Sequence, residues 1–265
     1  MNLDLQDARV LVTGGASNIG RGIVHAFARE GARIVIADVD EVQAMKVHDE
    51  AVALGAAEVL VAALDLTEVG AGARAATPLL ERWGGVDVLV NNAGVSIAGF
   101  VAEDTDRARW QKMVDLNLFG AIECTQAVIP AMRDAGAGSI VYIASDAAFG
   151  QIRQAVYGAT KAAVIAFART TAKEHGRHGI RTNVVCPGLV IPAGDDAVGA
   201  SSLWAEGRDA VFNDRQIAFL EKDTPLRRLT EVDDIANAVV WMSSTTAARQ
   251  VTGQVISVSG GYVMP

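Results

Sequence analysis

Tyr157 and Lys161 stand four residues apart at the start of a stretch with helical apolar spacing, so they share one helix face. A tyrosine hydroxyl titrates near 10. A neighbouring ammonium favours the phenolate, which predicts a lowered value suited to proton transfer near neutral pH. A Tyr-x-x-x-Lys pair is common, and alone it describes a packed tyrosine beside a solvated lysine just as well. Ser145 adds weight: it lies twelve positions before Tyr157, directly after an apolar run, where its hydroxyl can meet a substrate oxygen. Asn117 lies within a long helical stretch. Taken singly, Ser145 reads as a turn residue and Asn117 as a surface amide.

A second group sits near the N-terminus. The run Thr13-Gly14-Gly15-Ala16-Ser17-Asn18-Ile19-Gly20 follows an apolar segment and opens a helical one. Glycines let backbone amides approach a pyrophosphate, and a helix N-terminus favours its charge. The alternative is an ordinary tight turn. Asp38 ends the next apolar run, 18 residues after Gly20. A carboxylate there accepts hydrogen bonds from ribose hydroxyls and repels a 2′-phosphate. Asp40 and Glu41 reinforce that repulsion, and no Arg or Lys occupies positions 13–19. The competing reading is that Asp38 caps the following helix.

These residues need a frame that brings them together. Short apolar runs recur at Arg9–Thr13, Arg33–Ala37, Val59–Leu64, Val86–Val90, Ser139–Ala144, Arg181–Val185 and Val255–Val258. Helical patterns separate them, notably Ile19–Glu30, Arg107–Arg133, Tyr157–His175 and Thr230–Ser243. Near-continuous apolar strands between helices predict an α/β, doubly wound, Rossmann-type fold: a mostly parallel seven-stranded sheet with helices on both faces. Ligands of such sheets bind at the strands' C-terminal edge. We expect one Rossmann-type domain over residues 1–265. The interruption at 189–224, with helical character around Trp204–Leu220, is the expected substrate lid.

Half the residues are hydrophobic and a fifth charged, a globular composition. The net charge of −8 argues against nucleic acid as a partner. Cys124 and Cys186 show no metal or redox spacing and suit a reducing compartment. No signal-peptide pattern or membrane-length apolar run is evident, so a cytoplasmic location without membrane contact is expected. No metal site is expected: His175 and His178 lack further ligands.

Thr13-Gly14…Ile19-Gly20, Asp65, Asn91-Asn92-Ala93-Gly94, Asn117, Ser145, Tyr157-x-x-x-Lys161 and Pro187-Gly188 occur in an order that resembles the short-chain dehydrogenase/reductases, over essentially the whole chain. The resemblance implies NAD as cofactor. It implies that Gly14, Ser17, Asn18, Ile19 and Gly20 form the phosphate loop, that Asp38 meets the ribose, and that Asp65 and Leu66 contact adenine. Asn91, Ala93 and Gly94 would form the adenosine floor, and Pro187, Gly188 and Val190 would border the nicotinamide, whose ribose Lys161 also contacts. It further implies that Tyr157 is the acid/base and that Asn117 breaks its helix and holds a water near Lys161. The chain departs from the family at Asn18, usually Gly, and at Pro192, often Thr.

The expected activity is hydride transfer between NAD(H) and a secondary alcohol or ketone. A 3-oxoacyl-type or other carbonyl reductase and a catalytically silent NAD-binding regulator are the alternatives. Ser96, Gln151, Arg153 and Trp204 are candidate substrate contacts, Arg153 toward a carboxylate or phosphate. Leu203, Val211 and Phe212 add apolar lid surface, and Arg208, Arg215, Lys222, Arg227 and Arg228 are candidate partners of a CoA phosphate. The runs Glu174–Gly188 and Val251–Gly261 resemble 2-hydroxycyclohexanecarboxyl-CoA dehydrogenases, implying an alicyclic or hydroxyacyl-CoA substrate. Surplus apolar positions on Arg107–Arg133 and Tyr157–His175 suggest a homotetramer or homodimer.

Overall fold

Strand and helix residues sort by side-chain period. In the computed structural model, which describes residues 2–199, 202, 204, 205 and 212–265, seven strands form one all-parallel sheet. They are β1 (Arg9–Thr13), β2 (Arg33–Asp38), β3 (Glu58–Ala63), β4 (Val88–Asn91), β5 (Gly138–Ile143), β6 (Ile180–Pro187) and β7 (Val255–Val258). Their spatial order is β3-β2-β1-β4-β5-β6-β7. The helices are α1 (Asn18–Arg29), α2 (Glu41–Ala53), α3 (Ala71–Trp83), α4 (Arg107–Val114), α5 (Ala121–Ala135), α6 (Ala155–His175), α7 (Asp214–Asp223) and α8 (Val232–Ser243).

Successive strand side chains point to opposite faces. Val10, Val12, Ile34, Ile36, Val88 and Val90 therefore meet α1, α2 and α8 on one side. Leu11, Val35, Leu89, Ile140, Tyr142 and Val184 meet α3, α5 and α6 on the other. Burial on both faces explains why the strands read as unbroken apolar runs. Strand order reverses between β1 and β4, which opens a crevice at their C-terminal ends.

The stretch expected as one helix from Arg107 to Arg133 is divided. Asp115–Gly120 is π-helical and joins α4 to α5. The buried Asn117 side chain bonds neighbouring elements instead of solvent, and the widened turn accommodates it. Part of the helix expected around Trp204–Leu220 is described, as α7. Asn213 caps α7 at Asp214, and Gln216 completes a capping box. Leu203, Arg208 and Val211 lie outside the described residues.

Arg181 of β6 is buried and donates to the carbonyls of Met242 (2.6 Å), Ser243 (3.1 Å) and Ser244 (3.1 Å) at the end of α8. It supplies donors that a helix C-terminus lacks. Arg181→Met keeps the apolar stem but strands these acceptors, and should lower unfolding free energy by on the order of 2–3 kcal/mol. Urea denaturation checks this, and an unchanged midpoint would contradict it.

Candidate active site

A cavity of about 560 Å³ follows the C-terminal edge of the sheet from Gly14 to Tyr262. At its first end the chain leaves β1 into the glycine loop. Gly14 adopts φ 62°, and a Cβ there would press within 2.9 Å of the Ala93 Cα. A Cβ on Gly20 would collide with the Gly14 carbonyl oxygen. Asn92 donates to the carbonyls of Thr13 (3.0 Å) and Gly14 (2.9 Å), clamping the loop to the end of β4. Asn18 takes φ 42°, so the family's glycine position is met by an asparagine in left-handed conformation. Its Oδ1 is buried without a hydrogen-bond partner. The loop thus keeps a backbone-lined cradle at a helix N-terminus and fits a dinucleotide's phosphates.

Asp38 borders the same end. Its carboxylate accepts from the Ala16 amide (3.0 Å) and the Asp40 amide (3.0 Å). Burial raises its pKa, and these backbone bonds oppose the rise. Asp40, not Asp38, caps α2, accepting from the Gln43 amide. Asp65, fixed by Thr67, and the buried Leu66 line the wall beyond.

The other end holds Ser145, Tyr157 and Lys161 together. Ser145 leaves β5 and its Oγ accepts from the Ala147 amide (3.1 Å), opening a short 3₁₀ turn at Asp146–Phe149. Lys161 is only 4% exposed and donates to the Ile143 carbonyl (2.8 Å) at the end of β5. Its Nζ lies 5.7 Å from the Tyr157 ring centroid. Gly94 is required beside it, because a Cβ would approach Lys161 Nζ to 3.1 Å and Asn117 Oδ1 to 3.2 Å.

The electrostatics differ from the sequence-based expectation. Burial pushes the Tyr157 phenol up to about 12, the Ser145 hydroxyl only partly opposing it. Burial also pushes the Lys161 ammonium down to about 8. Desolvation sets the direction for both groups, upward for the phenol and downward for the ammonium.

Asn91 and Arg153 lie off the cavity lining, and Asn117 is held by protein partners. Asn91 is buried below the cavity, donating to Thr125 (3.2 Å), and Asn92 is the residue that reaches the loop. Asn117 spends its side chain on Val95 and Thr160: Nδ2 donates to the Val95 carbonyl (3.0 Å) and Thr160 Oγ1 (3.1 Å), while Oδ1 accepts from the Val95 amide (2.8 Å). That amide therefore ties the loop after β4 to α6, and its Oδ1 and the Lys161 Nζ both lie beside Gly94. Arg153 is exposed and faces outward, its guanidinium 5.4 Å over the Phe100 ring, away from the cavity lining.

Ser17, Ile19, Ala93, Pro187, Gly188 and Val190 do line the cavity, as do Ser96, Gln151 and Trp204. Ser96 donates to Gln154 Oε1 (2.8 Å). Trp204 faces Phe212 at 6.1 Å between ring centroids. Lys112, Asp146 and Tyr262 also line it and carry no sequence motif; the one available signal was an acid directly after Ser145. Among the proposed phosphate-binding cations, Arg228 is paired with Asp234 (2.6 Å), and Arg215, Lys222 and Arg227 do not line the cavity. No group of metal-binding side chains occurs among the described residues.

Residues 14–263 match the family profile described as enoyl-(acyl carrier protein) reductase. Subunit BbsD of (2S)-[(R)-hydroxy(phenyl)methyl]succinyl-CoA dehydrogenase from Thauera aromatica is 35% identical over 259 residues, 98% of each chain. The chain belongs to the short-chain dehydrogenase/reductase family. Sorbitol dehydrogenase of Cereibacter sphaeroides is 34% identical to it across the full length of both chains. The structure of a 7α-hydroxysteroid dehydrogenase complexed with NADH and 7-oxo glycochenodeoxycholic acid matches with a TM-score of 0.87, at 31% identity, over 100% of this chain and 97% of that one. As a short-chain dehydrogenase/reductase the protein is an oxidoreductase of alcohols and ketones that uses a nicotinamide cofactor. The narrower likeness to 2-hydroxycyclohexanecarboxyl-CoA dehydrogenases is not reproduced by these relatives, although BbsD belongs to a dehydrogenase of a CoA ester.

The family's phosphate loop yields a direct test. Gly20→Ala places a methyl against the Gly14 carbonyl and Asn92, so the cradle must open. NADH binding followed by fluorescence titration should weaken at least about tenfold, the equivalent of one or two lost hydrogen bonds. Unchanged affinity would contradict the cradle.

Proposed function

We propose that this protein interconverts a secondary alcohol and its ketone with NAD(H) in preference to NADP(H). The observation that carries this reading is one cavity that joins the Ser145–Tyr157–Lys161 cluster to a glycine cradle flanked by Asp38. Bound nicotinamide supplies the hydride acceptor for oxidation and the donor for reduction. Tyr157 exchanges the proton with the substrate oxygen, Ser145 hydrogen-bonds that oxygen, and Lys161 keeps a positive charge beside the phenol. Gly14, Ser17, Ile19 and Gly20 hold the pyrophosphate. Asp38 accepts from the ribose, and Asp65, Leu66, Ala93 and Gly94 border the adenosine. Pro187, Gly188 and Val190 border the nicotinamide. The pair of carboxylates at Asp38 and Asp40 disfavours a 2′-phosphate.

Trp204, Phe212, Leu220 and Val190 make an apolar wall, while Gln151, Gln154, Ser96 and Tyr262 give it polar points. This suits a compact ring bearing a secondary hydroxyl. A relative named for a 7α-hydroxysteroid acts on a ring hydroxyl, and one named for sorbitol on an open-chain alcohol. The CoA-ester reading rests on BbsD alone, since Lys112 and Lys161 are the cations among the described lining residues. We read 189–224 as the lid of a single dehydrogenase domain. No helix of the described residues is long and apolar enough to cross a membrane, and the free, buried Cys124 and Cys186 suit a cytoplasmic setting. A silent regulator would not need Tyr157 and Lys161, and an NADPH-linked 3-oxoacyl reductase would not favour Asp38.

Steady-state kinetics with a panel of cyclic alcohols should give a higher kcat/KM with NAD⁺ than with NADP⁺, and Asp38→Ala should narrow the difference by about tenfold. Tyr157→Phe should lower kcat by at least about a hundredfold while NADH still binds. Wild-type preference for NADP⁺ would overturn the cofactor assignment, and near-normal turnover of Tyr157→Phe the chemistry.

The exposed Phe100, Val101, Phe119, Phe149 and Ile152 lie on or beside the α4–α6 face and support self-association as a homotetramer or homodimer. Light scattering should report a multiple of the 27.7 kDa chain mass; a species of that mass alone would contradict assembly.

A further inference from the structure

Directly after Ser145, Asp146 turns its carboxylate away from solvent, 3% exposed, into the space between the ends of β5, β6 and β7. Ser257 Oγ lies 3.0 Å from its Oδ1 and 2.7 Å from Ser259 Oγ. Ser259 in turn accepts from the Val263 amide (3.2 Å), and its hydroxyl lies 3.3 Å from the Val263 carbonyl. The chain between Ser259 and Val263 is a tight turn, closed by the Tyr262 amide on the Ser259 carbonyl (3.2 Å). Tyr262 at its tip lines the cavity that Ser145 and Asp146 also line. The other Asp146 oxygen, Oδ2, is buried with no hydrogen-bond partner.

A buried carboxylate with one unpaired oxygen is costly unless something depends on it. We propose that Asp146 is a positioning residue for substrate: through Ser257 and Ser259 it fastens the C-terminal turn that brings Tyr262 to the cavity wall beside the catalytic serine. This rests on the alcohol/ketone chemistry proposed above. The turn is also pinned from outside. The Leu226 amide donates to the Gly260 carbonyl (3.0 Å), and Gly261 packs on Pro225, so the tail is joined to the stem of the lid. Fixing the tail therefore fixes one edge of the substrate space.

The link is sensitive to charge. Burial raises the Asp146 carboxyl to about 6, with the Ser257 hydroxyl, itself bonded to Ser259, pulling it down. Cys186 on β6 is the titratable group that faces it, its own thiol pushed up to about 12, and Tyr157 and Lys161 of α6 interact with the same thiol. Above about pH 6 the serine hydroxyls bond a carboxylate. Below it they bond a neutral acid, and the charge-assisted bond weakens.

The test combines kinetics with hydrogen exchange. Asp146→Ala should raise KM for the alcohol about tenfold, leave the NADH Kd within about twofold, and accelerate amide exchange over 259–263. Ser257→Ala should shift KM in the same direction. The double variant Asp146→Ala/Tyr262→Ala should be no worse than either single change. Asp146→Asn, which keeps only a neutral acceptor for Ser257, should hold KM at the value wild type reaches below about pH 6 and abolish the rise that wild type shows as pH falls. Unchanged exchange over 259–263 in Asp146→Ala would overturn the link. Faster exchange with unchanged KM would overturn its role in substrate positioning, and parallel loss of kcat and NADH binding would show a merely structural role. Should Asp146→Ala fail to fold, Ser257→Ala and Asp146→Asn give the same readouts. A wild type inactive on every alcohol and ketone would overturn the proposed reaction, while the exchange result would still decide the link.

Discussion

The site depends on a buried charge. Lys161 carries its ammonium to 4% exposure and finds the Ile143 carbonyl at the last residue of β5. Taking an ammonium out of water is costly, and the cost is tolerated only where donors and acceptors are fixed around it. The bond joins the first turns of α6 to the strand from which Ser145 emerges. Tyr157, one helical turn earlier, is thereby held beside that serine. Gly94 leaves the ammonium room from the side of β4, and Asn117 ties the Val95 backbone to α6 through Thr160. Two strand ends and two helical segments thus converge on one cation.

The dinucleotide end follows the same principle with backbone in place of charge. The parallel sheet delivers β1, β2 and β4 to one edge, and strand order reverses between β1 and β4. Asn92 crosses that gap to hold the Thr13 and Gly14 carbonyls. The amides at the start of α1 are then free to meet phosphate. Because both ends are built on one sheet, the distance between Asp38 and the Ser145–Tyr157–Lys161 cluster is set by the strands.

Much of this was legible from local pattern. Strand positions followed from apolar runs, because burial on both faces leaves little choice of residue. Tyr157, Lys161, Ser145 and the glycine loop were legible because their spacings are fixed by one helix turn or one tight loop. What was not legible depends on contacts distant in sequence. Whether Asn91 or Asn92 reaches the loop is decided by which face of the sheet each side chain meets at the end of β4. Arg153 sits in a left-handed turn, φ 65°, that aims it at Phe100. Asn117 works through bonds to residues 22 and 43 positions away, which also explains the π-helical turn. Most instructively, a nearby lysine was expected to lower the Tyr157 pKa, but adjacency in sequence says nothing of how deeply both groups are buried.

Burial raises the Tyr157 phenol in the free protein, so its ionisation calls for further positive charge at the site. The direct measurement is ultraviolet difference titration of tyrosinate, wild type against Tyr157→Phe, with and without NAD⁺. The account predicts that in the free protein Tyr157 ionises well above the ordinary tyrosine value, toward about 12, and that NAD⁺ moves it downward. A Tyr157 that ionises near neutral pH without dinucleotide would contradict it.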